Sequence, residues 1–136
     1  MTLLRYRSCW VGLACAAALS SPGAARADAT LEAKLVDAKA TAHGSAAIQA
    51  SVSGIELVDP ASVQEKPHAG QGHLHYRIDA GPVVATPSTK LSLHELAPGP
   101  HRIEVTLVGN DHEPLGPRAV VPFTVPAGAQ DPHAGY

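Results

Sequence analysis

Between Ser45 and Val125 lie four runs in which apolar residues recur at every second position, and this period of two constrains the fold more than any other property of the chain. Ile48, Ala50 and Val52 alternate with Gln49, Ser51 and Ser53. Leu74, Tyr76 and Ile78 alternate with His73, His75, Arg77 and Asp79, and Ile103, Val105 and Leu107 with Arg102, Glu104 and Thr106. Val121, Phe123 and Val125 form a last set of the same kind. Successive side chains of a strand point to opposite faces, so each run reads as a strand with one buried and one wet face. Ile55–Val58 continues the first strand past a bend at Gly54, and Val83–Ala85 and Lys90–Leu93 are shorter strands. A long loop spans 59–71, and Gly109–Pro117 reads as a polar hairpin loop. About six or seven short strands at regular spacing, with no helical period among them, predict an all-β fold: an antiparallel immunoglobulin-like β-sandwich over residues 45–126.

The ends of the chain read differently. Residues 1–27 have the form of a secretory signal peptide: Arg5 and Arg7, an apolar stretch Trp10–Leu19, and a small-residue cleavage site at Ala25-Arg26-Ala27. The apolar stretch is well short of the ~20 residues of a membrane-spanning helix, so no membrane insertion is expected after cleavage. Cys15 lies one place off the usual lipoprotein cleavage box, which argues for cleavage rather than lipidation. Residues 28–44 are alanine-rich, with Leu31, Leu35, Ala38 and Ala42 near helical spacing, and read as a spacer or a short helix stopped by Gly44. Residues 127–136 form a Gly/Pro/Ala tail with little to bury.

Removing the leader changes what the chain can do. Cys9, Cys15 and Met1 all lie within it, so the remaining 109 residues contain neither cysteine nor methionine and are held by core packing alone. Blue copper electron transfer, which needs a cysteine ligand, is thereby excluded. Seven basic residues remain against twelve acidic ones. An acidic domain without a basic run argues against a nucleic-acid partner and against an anionic membrane surface.

All eight histidines lie beyond the leader, and four of them sit in Gly72-His73-Leu74-His75, Leu93-His94-Glu95 and Asn110-Asp111-His112-Glu113. The alternation turns Leu74 and Tyr76 to the core, so His73 and His75 face outward together, their backbones about 6.6 Å apart from the strand rise. With Gly72–Asp79 as the third strand and Arg102–Gly109 as the sixth, the two are antiparallel neighbours. The start of the first then lies beside the loop carrying Asp111 and His112. His73, His75 and His112 are the candidate metal ligands, with Asp111 or His68 as a fourth. His94 is a secondary candidate, because it belongs to the opposite sheet. Imidazole and carboxylate without thiolate suit Cu(II), Zn(II) or Ni(II), and copper and zinc are the ions expected in a cell envelope. His101 has the parity of Ile103 and follows the corner Leu96-Ala97-Pro98-Gly99-Pro100. It occupies nearly the place of the tyrosine that braces this corner in immunoglobulin-like domains, and so reads as structural.

The motifs Gly72-His73-Leu74-His75, Leu96-x-Pro98-Gly99-x-His101 and Val108-Gly109-Asn110-Asp111-His112-Glu113-Pro114-Leu115 carry a resemblance. The stretch from Gly70 to Val125 resembles small secreted bacterial proteins grouped in domain-of-unknown-function families with immunoglobulin-like or cupredoxin-like folds. The resemblance implies fold and secretion, and implies no activity.

Two functions are expected in order. The first is a periplasmic or secreted protein that binds a divalent metal, copper or zinc, through surface histidines. The second is a non-catalytic immunoglobulin-like accessory module that meets a protein partner through an apolar patch, for which Val83, Val84 and Val120 are the candidates. Catalysis ranks last. No Gly-x-Ser-x-Gly elbow surrounds any serine beyond the leader, no cysteine nucleophile remains, and Glu95 faces away from its neighbour His94 on a strand.

Overall fold

The alternating runs pair into two packed sheets. A computed structural model describes residues 28–62 and 68–129. The strands are β1 (Thr30–Leu35), β2 (Ala46–Ser53), β3 (Glu56–Leu57), β4 (Gln71–Ile78), β5 (Val83–Thr86), β6 (Lys90–Leu93), β7 (Gly99–Gly109) and β8 (Pro114–Val125). One sheet has the order β1-β2-β6; in the other, β3 and β5 both pair with β4, followed by β7 and β8. Strands one, two and six against four, seven and eight is the immunoglobulin-like division of a β-sandwich. No helix among the described residues is long and apolar enough to cross a membrane.

The inward set is the one the alternation dictates. Ile48 and Ala50 of one sheet meet Leu74, Tyr76, Ile103, Val105, Leu107, Val121, Phe123 and Val125 of the other, all of them buried. Tyr76 is the largest fully buried side chain. Its hydroxyl donates to the Ser88 carbonyl at 2.9 Å, so the phenol carries no unsatisfied donor into the core.

Three local readings are corrected. Thr30–Leu35 is a strand, not part of a spacer or helix; only Ala40–His43 turns, as one short 3-10 segment. Leu31 and Leu35 fit both periods, and the free edge of β2 selects the extended form by placing Leu31, Ala33 and Leu35 opposite Val52, Ala50 and Ile48. The segment after Gly54 does not prolong β2 but crosses to the other sheet, where Glu56–Leu57 runs parallel to Gln71–Gly72. Gly54 makes this crossing with φ of 77°, a conformation open to glycine. The expected hairpin loop Gly109–Pro117 shrinks to a turn over 110–113, because β8 begins at Pro114. Prolines at 114, 117 and 122 are tolerated in β8 because it is the edge strand of its sheet. Glu104 pairs with Arg102 and Arg118, and Asp79 with His101.

Three features position the outer face of the larger sheet. β4 is flanked on both sides, and its register with β7 sets His73 opposite Val108 and His75 opposite Thr106. An irregularity between Thr106 and Val108 then shifts the pairing of β7 with β8. The hairpin tip that follows lies at the end of the sheet where β4 begins.

Candidate metal centre

His73 and His75 arise from one rule of strand geometry: two residues apart, they share a face. His112 arrives from the β7–β8 turn. There the His112 amide donates to the Gly109 carbonyl and the Gly109 amide to the Glu113 carbonyl, each at 2.9 Å, while the Glu113 amide donates to Asp111 Oδ1 at 3.1 Å. His112 itself takes φ of 63°, a left-handed conformation that turns the tip back on the sheet.

The three imidazoles converge. His75 Nε2 lies 3.1 Å from His73 Nε2 and 3.2 Å from His112 Nδ1. One ligand nitrogen from each ring falls within 4.8 Å of the other two. Two nitrogens bound to one ion at about 2.0–2.1 Å in a tetrahedral arrangement stand about 3.3 Å apart, close to both short separations. The ring centroids are 4.8 to 5.3 Å apart, so the rings also pack against one another.

The centre is graded from inside to outside. His73 is fully buried although it stands on the outer face, His75 is half-buried and His112 is exposed. The expectation of surface histidines is therefore corrected for His73. The rings of His75 and His112 pack against it, with centroids 5.0 and 4.8 Å away. His73 Nδ1 is buried without a hydrogen-bond partner, so among the described residues the only polar partner of this imidazole is another imidazole. Burial holds the pKa of His73 below the usual histidine value, and a positive charge on His75 or His112 would lower it further. Burial, then His112, lowers that of His75. Both shifts favour the neutral form of His73 and His75, in which each ring keeps one nitrogen lone pair for coordination.

The other candidates do not join it. Asp111 is engaged by the Glu113 amide as a turn former. His68 is exposed and lies with Asp111, Gln71, Ile55 and Leu115 along a neighbouring cleft of about 740 Å3 that the three histidines do not line. His94 follows β6 in the other sheet, where Nδ1 is 3.1 Å from the Ser45 hydroxyl. The exposed valines form no common patch either. Val83 and Val120 end a cross-strand row interrupted by Arg77 and Glu104, and Val84 lies opposite the inward Tyr76.

His101 turns inward, as its parity predicts, and stacks on Phe123 with ring centroids 5.4 Å apart. Nε2 is 2.7 Å from the Ala97 carbonyl, and Nδ1 is 2.8 Å from Asp79 Oδ2. It braces the corner before β7 in the manner of the immunoglobulin tyrosine.

No protein-family model matches the chain, and no curated protein matches it. Among solved structures, the extracellular domain of a candidate one-component system from B. thetaiotaomicron aligns over 62% of this chain at 13% identity and a TM-score of 0.41. This chain spans 11% of that longer one. The PKD domain of human KIAA0319 aligns over 79% of this chain and 90% of its own length, at 14% identity and a TM-score of 0.39.

Proposed function

We propose that this protein is a small immunoglobulin-like domain that binds one divalent transition-metal ion, copper(II) or zinc(II), through His73, His75 and His112. The observation that carries the reading is a fully buried imidazole whose sole polar partner among the described residues is a second imidazole, itself against a third. Burying a polar ring with so little hydrogen bonding is unfavourable, and coordination supplies the compensating interaction. Three nitrogen donors without thiolate are the donor set for copper(II) or zinc(II). The unpartnered His73 Nδ1 departs from the usual pattern, in which a ligating histidine donates its second N–H to an acceptor, and it sets the affinity below that of a fully supported site. The leader-like residues 1–27 support placing this domain in the periplasm or outside the cell, as a non-catalytic binding protein.

Calorimetric titration of untagged protein lacking residues 1–27 with copper(II) or zinc(II) tests the reading. Equimolar binding is expected, lost in His73→Ala/His75→Ala and in the exposed variant His112→Ala. An ion at a hundredfold excess over its dissociation constant would stabilise the native state by about 2.7 kcal/mol. Weak binding shared equally by all three proteins overturns the reading and leaves an accessory module without metal.

A further inference from the structure

We propose that the fourth coordination position of this centre is filled by an exogenous small anion rather than by the chain, an inference that rests on the metal reading above. Among the described residues the cluster contains three ligand nitrogens and no carboxylate oxygen. The nearest acid in sequence, Asp111, is held by the Glu113 amide within its turn. His73 closes the inner side, while His112 is exposed, so the free side of the tripod opens toward solvent.

The charge balance names the class of ligand. Copper(II) and zinc(II) take at least four donors, and a three-histidine set leaves one place open. All three protein donors are neutral when coordinated, so the bound dication keeps its full charge in a site that is partly removed from water. A bound cation is then the dominant local charge, and it draws an anion in preference to a neutral donor. The expected ligand is monodentate and small: hydroxide, chloride, a carboxylate, or azide as a probe.

Copper(II)-loaded protein titrated with sodium azide, followed by absorption and electron paramagnetic resonance, provides the test. A saturable azide-to-copper charge-transfer band at unchanged, equimolar metal content is expected. Imidazole at the same concentrations is expected to perturb the spectrum less than azide. The same titration is run on Glu65→Gln/Asp131→Asn/His133→Ala, which removes chain donors outside the described residues, and the azide response is expected to be unchanged. Equimolar copper without an azide response overturns the open position while leaving the metal centre standing. A copper spectrum altered in the triple variant before azide is added shows that the chain fills the place, and also overturns it. Failure to bind copper removes both readings.

Discussion

Raising the pH through the titration of His101 removes a brace from the fold. Its two ring nitrogens face two acceptors, the Ala97 carbonyl at 2.7 Å and Asp79 Oδ2 at 2.8 Å, so only the doubly protonated ring donates to both. The Ala97 carbonyl, followed by Asp79, raises the folded pKa above 6.5 against the weaker opposing effect of burial. The folded state therefore binds the proton more tightly than the unfolded chain. The resulting stability is complete below pH 6.5 and is lost as pH rises through the folded pKa. While the two states differ by one proton, stability falls by up to about 1.4 kcal/mol per pH unit. The total is bounded by one charge-assisted hydrogen bond, about 1.5–3 kcal/mol, and the lower end applies because the Asp79 side chain is 47% exposed and screened. A loss of about 1 kcal/mol shifts the Tm of a domain of this size by about 4–8 °C. Circular dichroism melts in chelator from pH 6.5 to 8.5 should show this fall for the parent protein. His101→Gln, which cannot change charge, should melt lower at pH 6.5 and with a flat profile. His73 and His75 have lowered pKa values, so their contribution is present above pH 6.5 and lost below it, outside this window. An equal slope in His101→Gln, or no slope in the parent, refutes the two-acceptor reasoning.

Four further outcomes follow from the same structure. Gly72→Ala places a Cβ against the Val108 carbonyl oxygen between paired strands, and should destabilise by about 1–3 kcal/mol in chemical denaturation. The Tyr76 phenol, its pKa raised by burial to about 12, should ionise only above pH 11 in a spectrophotometric titration, after any exposed tyrosine near 10. Tyr76→Phe should lose about 1 kcal/mol with the Ser88 hydrogen bond. His112→Gly relieves a left-handed backbone worth about 1–2 kcal/mol, so the metal-free protein should melt no lower than the parent while equimolar metal binding in calorimetry is lost.

The sequence by itself determined what is local. The period of two identifies the strands and their inward faces, because alternate side chains of a strand cannot share a side. The same parity turns His101 inward and sets His73 and His75 together, and strand order brings His112 to their end of the sheet. What depends on who covers whom came only from the tertiary structure. Leu31 and Leu35 satisfy two periods, and the open edge of β2 decides between them. Gly54 marks a bend in the sequence, but the pairing of Glu56–Leu57 with the opposite sheet is a contact across the sandwich. His68, Asp111, His94 and His112 are equally good ligands by residue type. The turn hydrogen bonds that engage Asp111 and the left-handed residue that directs His112 separate them, and neither has a periodic signal. His73 is buried at an outer-face position, with His112 of the β7–β8 turn packed against it, which strand alternation cannot record.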